Sequence, residues 1–273
     1  MPTFLNKTAT VELLADEFTA LRSLCASLDS AQWDTPTSLP GWSVRDVLSH
    51  VIGAEEGLLG EPVPEVEIAH LTHMQNPIAE ANERWVEAKR TLDGPAMLAS
   101  FDAAADRRMT VLGAMTQEEF DAPSWTPAGK DETYGRFMRI RHYDTYLHEL
   151  DIRIALGLPP RETAADLSSS LDEVATGLGY IVGRRAGMPT GSRVRIDVTG
   201  LAPRTYFIQV DERAAVVEAL DGEPTVTVVI PAVRWLRLTG GRADSGLSPT
   251  DGVALGGDDK LARQLVENLA FTI

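Results

Sequence analysis

The stretch from Tyr134 to Gly157 leaves the chain few alternatives to one long helix. Ile140, Tyr143, Leu147, Leu150 and Ile154 recur at spacings of three and four, the period of a single buried helix face. Gly157 is a natural stop, and Pro159–Pro160 ends the element. Asp144, His148 and Asp151 lie together along one flank of this seam, with Arg141 just beyond. Residues four apart on a helix point the same way, so Asp144 and His148 can hold one divalent cation between them. Asp151 follows three residues after His148 and is close enough to orient its ring. The alternative for Asp144 and His148 is an intrahelical hydrogen bond without metal.

This helix lacks a third ligand. The candidate lies about a hundred residues earlier in LPGWSVRDVLSHV. There Pro40–Gly41 signals a turn, Ser43 is a good N-cap, and Asp46 stands where a capping box places its acid or amide. Trp42 and Val47 are spaced as a hydrophobic staple. Val44, Val47, Leu48, Val51 and Ile52 form the apolar face of the helix that follows. His50 lies on the edge of that face, where it can look into a gap between helices while staying reachable by water. Taken alone, it reads as an ordinary half-buried histidine.

Three further helices are expected in the first 160 residues. One runs from about Thr8 to Ala31 on Val11, Leu14, Phe18, Leu21, Leu24 and Leu28, with Cys25 beside the stripe as a small buried hydrophobe. Another runs from about Glu67 to Leu92, and a third from Pro95 to Met115. His70 and His73, three apart, fit a solvated helix face better than a metal site. Residues 116–133 read as loop. After Pro160 the texture changes: a helix over Ala164–Arg184, short β-branched runs at Arg193–Thr199, Thr205–Val210 and Thr225–Ile230, and helices near Pro231–Leu238 and Asp258–Asn268. Helices followed by an α+β tail imply two domains, residues 1–160 and 161–273.

Charge and cysteine usage exclude some partners. Twenty-five basic against 40 acidic residues give a formal net charge of -15, and no Lys/Arg run offers a phosphate-binding face, so no nucleic-acid partner is expected. A single cysteine excludes an intrachain disulfide. With no secretory signal in the first residues and no apolar run long enough for a membrane span, the expected setting is the reducing cytoplasm.

The two helical stretches together resemble the two motifs of the mycothiol-dependent maleylpyruvate isomerase family, within the DinB-like four-helix bundles. LPGWSVRDVLSHV resembles the first motif. MRIRHYDTYLHELDIRIALGLP resembles the second, in which an acidic residue is followed by a histidine four later and an aspartate three after that. VTVVIPAVRWLRLTGGRAD, in the tail, is more weakly similar to the sterol-carrier-like domain that often follows. The resemblance implies α plus α+β architecture, a DinB-like bundle followed by a smaller sterol-carrier-like domain. It implies His50, Asp144 and His148 as metal ligands, Asp151 behind His148, and zinc as the ion. The isomerase itself has Glu where this chain has Asp144. It also implies an external thiol, mycothiol, the low-molecular-weight thiol of actinobacteria, whose pKa coordination lowers. The thiolate would attack a small electrophile, giving S-transfer or cis–trans isomerisation. Arg242, in the Gly-Gly-Arg turn, is the expected cation for an anionic substrate, with a surface turn arginine as the alternative. A monomer or weak homodimer is expected. Two other readings stay open: a binding protein for an apolar ligand with a structural metal, and a hydrolase that activates water on the same ion.

Overall fold

The structure, a computed structural model, describes residues 2–71, 74, 76–242 and 246–272. His73 lies outside the described residues. The chain divides into two compact units, Met1–Pro160 and Arg161–Ile273.

The first unit opens with α1, Lys7–Ala26, capped by the Asn6 side chain, which accepts from the Ala9 N–H. The expected continuation to Ala31 is broken, because Asp29 builds a capping box with Gln32 and starts a separate short helix, α2, at Ser30–Trp33. Helix α3 spans Val44–Leu58. Its Ser43 cap and Asp46 form the capping box read from the sequence. Helix α4 is Pro77–Glu87, much shorter than the Glu67–Leu92 expected. Pro77 has no N–H and is tolerated only in a first turn, so the helix begins there, under an Asn76 cap. Helix α5 runs Gly94–Ala114. The segment read as loop holds a short helix α6, Gln117–Phe120, and an antiparallel hairpin of β1, Pro123–Thr126, and β2, Gly129–Thr133. Helix α7, Tyr134–Ala155, follows directly.

Helices α1, α5, α3 and α7 pack in a ring, each touching the next, and form a four-helix bundle. Its core joins Leu14, Phe18 and Leu21 of α1 to Val47, Leu48 and Val51 of α3 and to Met97, Phe101 and Leu112 of α5. Phe18 and Phe101 meet edge to face at 5.8 Å, a favoured aromatic geometry. Helix α4 lies against the outside of α3. The approach is close: a Cβ on Gly53 would stand 2.4 Å from Cβ of Trp85, so only glycine fits there.

Helix α7 is more deeply buried than a single seam implies. Tyr143, Leu147 and Leu150 are buried as expected, but Ile140 is only partly so and Ile154 is exposed. In their place the helix buries Arg136, Arg139, Arg141, His142, His148, Glu149 and Asp151. It ends in a Schellman motif: Leu158 N–H donates to Arg153 O, Gly157 N–H donates to Ile154 O, and Gly157 has φ 67°.

The second unit begins with α8, Ala164–Tyr180, which passes into a π-turn at Ile181–Arg185. Strands β3, Arg193–Thr199, β4, Arg204–Val210, β5, Ala214–Val217, β6, Val226–Pro231, and β7, Ala254–Gly257, form one sheet in the order β5-β4-β3-β6-β7. Only β3 and β6 run parallel. Helices α9, Ala232–Thr239, and α10, Asp259–Glu267, pack with α8 on this sheet. The molecule is a helical bundle plus a smaller α+β unit, the class read from the sequence. Among the described residues no helix is long and apolar enough to cross a membrane.

Candidate metal centre

Two local devices deliver the histidines. On α3 the Ser43–Asp46 box fixes the first turn, and His50 stands seven residues beyond the cap on a helix whose apolar face is locked in the core. On α7, Asp144 and His148 project from successive turns. Contact between α3 and α7 brings the two sets together.

His50, Asp144 and His148 each offer one ligand atom, and these atoms all lie within 4.8 Å of one another. Nε2 of His50 is 3.3 Å from Oδ2 of Asp144, and Nε2 of His148 is 3.5 Å from Oδ1. Ligands bonded to zinc at about 2.0–2.1 Å and tetrahedral angles stand roughly 3.4 Å apart, so the spacing suits a small tetrahedral cation. Asp151 is where the sequence put it: its Oδ2 lies 3.1 Å from Nδ1 of His148. A carboxylate can only accept, so Nδ1 of His148 donates to Asp151, and Nε2 is the ring nitrogen turned toward Asp144.

The electrostatics suit the same purpose. Burial pushes the His50 imidazole below its ordinary pKa, against the opposing hydrogen bond and charge of Asp144. Burial alone would raise the Asp144 carboxyl, but His148 and Arg141 outweigh it and hold the acid well below the usual carboxylate range. A neutral imidazole and an ionised carboxylate are the forms that bind metal. His50 is more deeply buried than the sequence implies, at 6% exposure, while the Asp144 side chain keeps 31% and is the accessible member of the group.

Arg141, read from the sequence as lying just beyond this flank, is part of the site, and other residues around it are absent from the sequence reading. Arg141 Nη1 donates to Asp144 Oδ2 at 2.6 Å and Arg141 Nε donates to Glu55 Oε1 at 2.9 Å. Glu55 also accepts from Arg108 Nε at 2.8 Å, so one buried carboxylate of α3 ties α5 and α7 together. Trp42 packs its indole against both imidazoles, 5.2 Å from His50 and 6.1 Å from His148 between ring centroids. Only the position of Trp42 beside the Ser43 cap hinted at this. Glu55 and Arg108 carry no local signal, because their partners come from other helices.

Arg242 belongs to the second unit. It is buried, its Nη1 donates to Gly240 O at 2.5 Å, and its N–H donates to Arg237 O. An exposed turn arginine, the alternative read from the sequence, is not what the fold contains. Cys25 is buried, as expected, and burial pushes its thiol up to about 12.

Comparison with known proteins follows the same two units. The solved mycothiol-dependent maleylpyruvate isomerase superposes with a TM-score of 0.61 at 17% identity, covering 94% of this chain and 96% of that one. A histidine-to-alanine mutant of that isomerase gives 0.58 at 16% identity with the same coverage. At such identity the likeness speaks for the fold. A Bacillus licheniformis protein provisionally named a metal-dependent hydrolase is 29% identical over 112 residues, which span 41% of this chain and 62% of that protein. The family model for the mycothiol maleylpyruvate isomerase N-terminal domain matches residues 14–153, and that for the C-terminal domain of the same family matches residues 168–264. The first match alone takes in more than half of the sequence and contains every residue of the candidate centre, so the chain belongs to the mycothiol maleylpyruvate isomerase family.

Proposed function

We propose that this protein is a metal-dependent enzyme that joins a low-molecular-weight thiol, mycothiol, to a small electrophile, either as S-transfer or as a passing step of cis–trans isomerisation. The observation that carries the reading is the convergence of His50, Asp144 and His148 within 4.8 Å in a chain of this family. His50, Asp144 and His148 would hold the ion, and a zinc bound by three protein ligands would supply an open position at which a thiol is deprotonated near neutral pH.

The chain's own residues do the rest. His50, Asp144 and His148 hold the ion, Asp151 keeps the proton of His148 on Nδ1, and Arg141 steadies Asp144. Trp42 covers the imidazoles with an apolar face and limits the water around them. The nucleophile is external, because Cys25 is buried with its thiol pushed up to about 12. In transfer, the new sulfur–carbon bond persists: either the double bond of the electrophile is consumed and its other end takes the proton given up by the thiol, or a leaving group departs with the electron pair of the bond it loses. In isomerisation it forms, the former double bond turns, and the bond breaks again. Arg242 is assigned to pair with an anionic group of the substrate, on the strength of its charge and its place in the Gly-Gly-Arg turn. The second unit is assigned a sterol-carrier-like character and the protein a reducing cytoplasm, which suits a thiol cosubstrate.

Turnover of a panel of electrophiles, maleylpyruvate among them, by zinc-loaded protein tests this. Mycothiol, bacillithiol, glutathione and no thiol form the arms. Turnover only with a thiol, best with mycothiol, is expected. The name of the Bacillus licheniformis relative favours a second reading, hydrolysis by activated water. Equal turnover without thiol would establish that reading instead.

A further inference from the structure

The geometry points to Trp42 as the positioning residue of this centre, with its indole aimed by Glu83 from the neighbouring helix α4. The inference rests on the metal reading of the site and goes beyond it, because neither residue is a ligand.

Trp42, His50 and His148 make mutual ring contacts: 5.2 Å and 36° for Trp42–His50, 6.1 Å and 40° for Trp42–His148, and 4.8 Å and 69° for His50–His148. One indole therefore touches both imidazoles, and its orientation limits the rotation of each. The indole in turn is not free to turn. Its Nε1–H donates to Oε2 of Glu83 at 2.8 Å, and Glu83 is 1% exposed. The other oxygen of Glu83 accepts from Arg90 Nη2 at 2.5 Å. Arg90 Nη1 reaches Asp46 Oδ2 at 3.3 Å, the same oxygen that accepts from the Ser43 N–H at 2.8 Å. The capping box that starts α3 and the carboxylate that aims the indole are thus joined by one arginine. A buried carboxylate is costly unless its oxygens are partnered, and here one oxygen holds the indole while the other holds the Arg90 guanidinium.

A purely space-filling tryptophan would need no partner on its N–H beyond satisfaction of that group. A positioning one makes ligand geometry depend on Glu83, whose carboxylate holds the indole. Removing a group that orients a ligand weakens metal binding about 10- to 100-fold.

The test is a competition titration with Zn2+ together with the visible absorption of the Co2+-loaded protein, which reports ligand geometry. Wild type, Trp42→Leu, Glu83→Leu and Glu83→Gln are compared, each checked for a cooperative melt without metal. The expected result is weaker Zn2+ binding by about tenfold or more in both leucine variants. Their Co2+ spectrum should be altered, and Glu83→Gln, whose one amide oxygen can still accept from the indole N–H while the pairing with Arg90 is lost, should bind Zn2+ more tightly than Glu83→Leu. Unchanged affinity and spectrum in folded Glu83→Leu would overturn the inference while leaving the metal centre standing. No binding by the wild-type protein would overturn both.

Discussion

Nδ1 of His148 lies 3.1 Å from Oδ2 of Asp151, one turn further along α7. The bond settles which ring nitrogen keeps its proton, and so which one is left to face Asp144. Without Asp151 the imidazole would lose the bond that sets its tautomer, and its ring contacts with Trp42 and His50 would be left to keep its angle.

Replacing Asp151 with alanine should therefore weaken Zn2+ binding about 10- to 100-fold without abolishing it. His50→Ala and His148→Ala should each leave the purified protein without stoichiometric metal, since two remaining ligands rarely hold zinc against a chelator. Metal content by elemental analysis and affinity by competition titration separate the two outcomes. Full metal content in both alanine variants would remove His50 and His148 from the ligand set.

Beneath the candidate ligands, Glu55 lies 1% exposed between Arg108 and Arg141. Glu55→Gln would leave two buried guanidinium groups facing a neutral amide. Breaking a buried pair by removing one charge costs about 3–5 kcal/mol, so the variant should lose that much in a urea titration. Because Arg141 also holds Asp144, its Zn2+ affinity should fall as well. A variant as stable as wild type would mean that water has access to this pair.

The parts of this fold that were legible in the sequence are those written in short-range spacing. Asp144 and His148 share a face because they are four apart, and the Ser43–Asp46 box announced the start of α3. The hairpin of β1 and β2 was not legible, because Pro123, Pro127, Gly129 and the charges of Lys130–Glu132 read as loop. Strands β5 and β7, Ala-Ala-Val-Val and Ala-Leu-Gly-Gly, lack the alternation that marks a strand and form because neighbours supply the ladder. Glu55 and Arg108 are 53 residues apart, and Trp42 and Glu83 are 41 apart. Neither pair leaves a pattern that a local reading can find, since only the packing of helices makes them neighbours.

Gly53 illustrates that dependence and gives a prediction of its own. An added Cβ would stand 2.4 Å from Cβ of Trp85, so Gly53→Ala must push α4 away from α3. Overpacking of this kind costs about 1–3 kcal/mol, despite the better helix propensity of alanine. The thermal midpoint should drop. Because α4 also carries Glu83, the hydrogen bond to Trp42 should lengthen with it. A midpoint equal to or above wild type would show that α4 is able to shift at no cost.

Cys25 supplies the last prediction, and its sign can be worked out. The thiol is 1% exposed, and burial, followed by the charge of Glu149, pushes it from 9.0 up to about 12. The native protein should therefore react with an alkylating reagent at pH 8 only as fast as it opens, and at an ordinary cysteine rate once denatured. For an acid whose folded pKa is raised, the unfolded chain releases its proton first. The stabilising preference for the protonated thiol is thus complete below pH 9, and it is lost progressively as the pH rises from 9 towards 12. Cys25→Ser keeps the size and removes this titration within that window, so its stability should fall less steeply than that of wild type over the same range. Mass spectrometry of the alkylated protein and denaturant titrations at pH 8 and pH 10 measure both effects. Rapid alkylation of the folded protein at pH 8 would contradict the buried, inactive thiol, and with it the assignment of the nucleophile to a molecule from outside the chain.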